Sequence, residues 1–190
     1  MDLRLISPPA EAPVSLAEAK AHLRYLAGDQ DALISSLVLA ATAHLDGRSG
    51  ILGRAVVTQT WELRLDRFPA RIELPLPPLQ SVTSIVYLDD TGSETTLDPA
   101  AYVVEPGHYH GRIRPAYGLT WPVPRDESGA VRIRFLAGYG DASDVPAPLK
   151  HAILLLVGHW WLNREAAGEE QFAHPMAVDA LTLPYRVLSP

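Results

Sequence analysis

The stretch "TWELRLDRF", Thr60–Phe68, decides how this chain is read, because in it the hydrophobic period changes. Trp61, Leu63 and Leu65 alternate with Glu62, Arg64 and Asp66, the twofold pattern of a strand with one wet face. Just upstream, "ALISSLVLAATAHL", Ala32–Leu45, has no such alternation and is apolar nearly all round, as expected of a helix buried on more than one side. The chain therefore passes from helix to sheet near Ala55.

Downstream the twofold period continues. "SVTSIVYL" (81–88), "AYVVE" (101–105), "GRIRP" (111–115) and "AVRIRFLAGYG" (130–140) read as further strands, and "DDTG" (89–92) supplies a hairpin turn in which Gly92 can take positive φ. Together they predict an antiparallel sheet or small sandwich over 55–140. Helical spacing returns in "LKHAILLLVGHWWLNREAAG", predicted as one long helix from Leu149 to Gly168, entered through Pro146 and Pro148. At the start, Ser15 and Glu18 fit a capping box, and Leu16, Ala19, Leu23 and Leu26 continue helically until Gly28. The end, "ALTLPYRVLSP" (180–190), carries Pro184 and Pro190, so an extended tail with sidedness at Leu183, Tyr185 and Val187 is expected.

The predicted fold class is α+β. A helical bundle forms from the N-terminal helices (1–54) and a long C-terminal helix (141–168), with an inserted antiparallel β region (55–140) and an extended C-terminal arm (169–190).

Composition narrows the function. The 190 residues are 47% hydrophobic and 20% charged, an ordinary globular balance. With no cysteine there is no disulfide framework, thiolate metal site or cysteine nucleophile. The start lacks the pattern of a secretory signal, and the longest apolar run, "AILLLVGHWWL", falls short of the ~20 residues of a membrane span. A net charge of −6 repels a phosphate backbone at long range.

The search for chemistry yields no catalytic residue. His108 and His110 in "HYH" have a spacing that metal sites use, but no further ligands lie nearby in sequence, so a surface or turn role is preferred and neither metal nor cofactor is expected. His151 and His159 are read as packed residues beside Trp160 and Trp161. "GYG" (138–140) is a turn rather than a phosphate loop, and "DGRSG" (46–50) a helix end rather than a nucleophile elbow. Arg112, Arg114, Arg125, Arg132 and Arg134 form the one basic concentration. A solvated face paired with carboxylates is the favoured reading; a nucleic-acid face and a protein rim at Arg112, Arg114, Arg132 and Arg134 are the alternatives.

The order of motifs carries a resemblance. "PVSLAEAKAHLR", "DALISSLVLAATAHLDGRSGILGRAVVTQTWELRLDRFP", "LPLPPLQSVTSIVYLD", "GRIRPAYGLTWP", "VRIRFLAGYGD" and "VPAPLKHAILLLVGHWWLNREA" together resemble the head-tail connector proteins of long-tailed phages and of phage-derived gene transfer agents, over about Leu5–Ala166. The resemblance implies a structural, non-enzymatic adaptor. Such subunits form a ring, usually of twelve, beneath the portal, join head to stopper or tail-completion proteins, and line a channel through which double-stranded DNA passes without sequence-specific binding. It implies a place in the virion neck after assembly in the host cytoplasm, with portal protein, tail-completion proteins and further copies of itself as partners, and no membrane. Apolar helices then find their second surface on a neighbouring subunit, for which Leu33, Ile34, Leu37, Val38, Leu155, Trp160 and Trp161 are the candidates. The tail becomes a portal-binding arm through Leu181, Leu183, Pro184, Tyr185, Arg186, Val187 and Leu188. A fold-back of that tail stays open, as do two other roles: a different small neck ring (stopper or tail terminator) and a nucleic-acid-binding module using the Arg-bearing β face.

Overall fold

The structure is a computed structural model that describes residues 2–107, 109–163 and 176–187. In chain order its elements are β1 (Asp2–Ser7), α1 (Leu16–Leu23), α2 (Asp31–Leu45), β2 (Gln59–Leu65), β3 (Ile72–Leu74), β4 (Leu79–Leu88), β5 (Glu94–Thr96), β6 (Tyr102–Glu105), β7 (Gly111–Pro115), β8 (Val131–Ala137), α3 (Ala147–Leu162) and α4 (Met176–Thr182), with short 3-10 turns at Pro99–Ala101, Ala142–Asp144 and Leu183–Tyr185. They form two compact units. One joins Met1–Ala10 to Thr58–Gly138, the other Glu11–Val57 to Tyr139–Pro190.

The β unit holds two antiparallel sheets, a five-stranded one in the order β1-β2-β8-β4-β5 and a three-stranded one in the order β3-β7-β6. The alternation of Thr60–Phe68 sets the register. Trp61 lies opposite Phe135, and Leu63 opposite Ile133, which in turn faces Ile85, so one side of the large sheet is a row of buried apolar side chains. Ile72, Leu74 and Ile113 supply the buried positions of the small sheet. The N-terminal segment adds β1 alongside β2, with Leu3 opposite Leu63 and Leu5 opposite Trp61. Asp89 closes the β4–β5 hairpin by accepting from the Thr91 and Ser93 amides and the Thr91 hydroxyl, while Gly92 takes φ 85°. The Thr91 hydroxyl bond, first among several, holds the Asp89 carboxyl below the usual range.

Among the described residues, the helical unit packs four short helices around Ile34, Val38, Ala41 and Leu45 of α2 and Leu149, Ala152, Ile153, Leu156 and Val157 of α3, with Ala19 of α1 and Val178 of α4. Helix α1 starts at the Ser15–Glu18 capping box and ends at Arg24, whose left-handed backbone (φ 53°) turns the chain out before Gly28. Lys150 of α3 reaches Glu18 at 3.1 Å, and Lys20 reaches Asp31 at 2.6 Å, tying α1 to both neighbours. Gly158 lets α1 come close to α3, since a Cβ there would sit 3.3 Å from His22 Nε2.

Two features of the expected fold class are corrected. Among the described residues there is no long C-terminal helix: α3 spans 16 residues and stops at Leu162. Asn163 leaves helical geometry, and its Nδ2 and its backbone N–H both donate to the His159 carbonyl, closing the last turn with a side chain that competes for backbone partners. The expected continuation to Gly168 falls on residues outside those described. Nor is the C-terminal segment an extended arm, because Met176–Thr182 is helix α4 and Leu183–Tyr185 a 3-10 turn. Pro184 is compatible with this because it occupies the first positions of that turn, where an amide needs no intrahelical partner.

Candidate functional site

The β-unit arginines lie on two different sheets. Arg112 and Arg114 are on β7 and Arg132 and Arg134 on β8, so no one sheet carries all four. Each is paired with a carboxylate: Arg112 with Glu73 (3.8 Å), Arg114 with Glu105 (2.6 Å), Arg132 with Glu94 (2.5 Å) and Arg134 with Glu62 (2.8 Å). Arg125 stands 3.5 Å from Glu127. Exposed pairs of this kind leave little net positive potential for a phosphate backbone.

Glu62 is the exception to the exposed pattern. It is 1% exposed on the wet face of the large sheet, accepting from Arg134 Nε and from Arg64 Nε, both at 2.8 Å. Burial pushes its carboxyl up, but the hydrogen bonds from Arg134 and Arg64 and their two charges outweigh burial and hold it below the usual carboxylate range. With Ser84, Val86, Glu94, Arg132 and Arg134 it lines a cleft of about 150 Å³. Every charge in the cleft is already matched, so it has the character of a structural ion network rather than a poised acid or base.

Tyr109 and His110 lie in the turn between β6 and β7, and His108 lies outside the described residues. Among the described residues no group of three or more His, Asp or Glu side chains gathers where it could hold a metal ion. No described helix is long and apolar enough to cross a membrane. His151 meets His22 edge-on at 6.1 Å, while Trp160 meets His44 at 6.3 Å and Trp161 meets Tyr25 at 5.2 Å, so both tryptophans have partners within the helical unit.

Of the residues expected to face a neighbouring subunit, Ile34 and Val38 are buried in the core of their own unit, while Leu33, Leu37, Leu155, Trp160 and Trp161 are half-buried. The helix face left in solvent includes Leu39, which sequence reasoning did not single out and which is 63% exposed. Its rotation about α2 is set by which residues pack on α3, and an evenly apolar helix carries no periodic signal of that.

The C-terminal segment is held against the loop after α2. Val187 N–H donates to the Leu52 carbonyl at 2.8 Å, the buried Arg54 donates through Nε to the Tyr185 carbonyl, and Arg186 reaches Asp179 at 2.5 Å and Thr182 at 3.2 Å. The loop itself is shaped by Asp46, whose carboxylate accepts the Val56 amide, and by the Gly47 amide donating to the Arg54 carbonyl. Leu183 and Pro184 point outward from the turn. Leu188 lies outside the described residues.

Comparison with known proteins agrees with an assembly protein rather than a catalyst. No family model and no curated protein matches the chain. Among solved structures it is similar to a chain of the virion of a native gene transfer agent particle, at 28% identity and a TM-score of 0.82, over 100% of this chain and 97% of the other. A chain of the neck of an empty particle of that kind, computed with C6 symmetry, matches with the same figures. A chain of the neck of a native particle, computed with C12 symmetry, matches at 23% identity with a TM-score of 0.75, which speaks to the fold. Near-complete coverage in both directions means that both units and their order in the chain are shared. The similarity supports a structural protein of a virion neck and weighs against an enzymatic role.

Proposed function

We propose that this chain is the head-tail connector, or adaptor, subunit of a gene transfer agent or phage particle. It forms a closed ring with sixfold or twelvefold symmetry under the portal, joins the head to stopper or tail-completion proteins, and lines the channel through which DNA leaves. The observation that carries this reading is the match over the full chain to chains of gene transfer agent virions and necks. Further support comes from the acidic total and the carboxylate-paired arginines, which suit a wall that DNA passes without sticking. In this reading Leu33, Leu37 and Leu155 complete their burial against a neighbouring subunit. The C-terminal segment contacts the portal as a folded turn, presenting Leu183 and Pro184, rather than as a free arm.

Electron microscopy of particles from cells lacking this gene, beside a complemented control, tests the proposal. Filled or leaking heads without tails, accompanied by free tails, are expected. Normal tailed particles from the deletion strain would overturn it.

A further inference from the structure

Between Arg114 and Arg125 the chain runs through "PAYGLTWPVP", residues 115–124, without a charged side chain. Solvated loops are normally rich in polar residues, yet here Tyr117 is 102% exposed, Val123 88% and Leu119 52%. The loop is built to hold these side chains outward. Its start is fixed by the Ala116 amide donating to the Ala101 carbonyl at 2.9 Å, its end by the Arg125 amide donating to the Leu88 carbonyl at 2.9 Å, and its tip by a turn from the Leu119 amide to the Ala116 carbonyl at 3.0 Å. Gly118, at φ 79°, has no other atom within 4 Å of where a Cβ would stand, so the tip projects into open space. In the middle Trp121 faces the other way and stacks on Phe68 at 4.9 Å, nearly parallel, while Phe68 meets Tyr87 at 5.9 Å. A loop whose backbone is pinned by hydrogen bonds and an aromatic stack has less conformational entropy left to lose when it meets a partner, which is what makes a binding loop effective.

We propose that this loop docks on the next copy of the chain in the ring, with Tyr117, Leu119 and Val123 as its anchors. The inference rests on the ring reading above. Two observations choose a second copy over another protein. Chains with this fold occur in necks computed with C6 and C12 symmetry, which set symmetry-related copies around one axis. Each copy also carries a net charge of −6, and residues 115–124 are an uncharged stretch through which two acidic chains can meet without setting carboxylate against carboxylate. The contact is head to tail: the loop of one copy meets a different surface of the next, as a closed ring requires.

The test is photo-cross-linking in assembled particles. p-Benzoylphenylalanine replaces Tyr117 in one strain and Val123 in another, and purified particles are irradiated and separated on a denaturing gel. Both side chains are exposed in the isolated chain, so the replacements leave its fold intact. The expected result is a ladder at multiples of the chain mass, with this chain alone in each band by mass spectrometry. Cross-links to the portal, to a tail protein or to nothing would overturn the inference while leaving the neck reading in place. Absence of the wild-type chain from particles would overturn the neck reading and this contact with it.

Discussion

Glu62 shows how much one residue of the alternation in Thr60–Phe68 carries. Its neighbours Trp61 and Leu63 face the core, so the period sends Glu62 to the wet face, where Arg64 two residues on and Arg134 across the β2–β8 pair close over it. Glu62→Gln keeps the volume but removes the charge that both guanidinium groups bond. Because Arg64 and Arg134 retain access to water, the cost falls below the ~3–5 kcal/mol of breaking a fully buried pair and is about 1–3 kcal/mol. Thermal unfolding should read this as a lowered midpoint, and Glu73→Gln, which touches only the exposed Arg112 pair, should leave the midpoint within about 0.5 kcal/mol of wild type. The pH dependence has a definite sign. The folded carboxyl of Glu62 lies below the ordinary glutamate value of 4.5, so the network contributes its full stability above that pH and loses it as pH falls through the lower folded value. Melts between pH 7 and pH 3 should show a decline in the wild type that is shallower in Glu62→Gln; equal slopes would mean that other carboxylates dominate acid unfolding. The pattern of Glu62 was legible in the sequence, but its burial was not, because nothing in a twofold period says which wet-face residue will be roofed by arginines.

At the scale of elements, the strands β2, β4, β6, β7 and β8 and the start of α1 could be read in advance because their signals are local: alternation, Gly in turns, and a Ser15–Glu18 box, whereas the three-residue β3 is too short to show a period. What could not be read depends on competition between distant parts. At the end of α3 the Asn163 side chain joins its own backbone N–H on the His159 carbonyl, a capping contact that the apolar spacing alone does not mark. In the C-terminal segment, Pro184 and the Leu183, Tyr185, Val187 alternation argued for an extended chain, whereas Arg54 and Leu52, more than 100 positions earlier, offer hydrogen-bond partners that hold a helix and turn in place. Pairing of β1 with β2 is equally non-local. The C-terminal hold makes its own prediction. Val187→Pro deletes the amide that donates to Leu52, and Arg186, with φ −67° and ψ 133°, already has the backbone a residue before proline prefers, so the substitution acts chiefly by losing that bond. Hydrogen exchange should accelerate at least tenfold across Asp179–Tyr185, corresponding to about 1.4 kcal/mol, while the amides of β8 keep their wild-type rates. Unchanged exchange in that segment would mean that α4 is held by its apolar contacts alone.

At the scale of the whole molecule, charge weighs against a DNA-binding module and for the channel wall proposed above. A chain of net charge −6 approaches a polyanion uphill at long range, and a nucleic-acid site must overcome this with a local cluster of unpaired cations. Arg112, Arg114, Arg132 and Arg134 do not supply one, since they divide between two sheets and each stands within 4.0 Å of a glutamate. Binding by these groups would require breaking ion pairs to form phosphate contacts, an exchange of one charge partner for another that gains little and weakens further as salt rises. The purified chain should therefore show no measurable affinity for double-stranded DNA at about 0.15 M salt, and Arg132→Ala with Arg134→Ala should leave that result unchanged. Fluorescence anisotropy with a labelled duplex, titrated from low to moderate salt, measures both. A steep salt dependence lost in the double variant would return the β face to a nucleic-acid role. A flat response joins the acidic total, the paired arginines and the uncharged loop at 115–124 into one account, in which the chain meets its own kind through apolar surface and lets DNA pass.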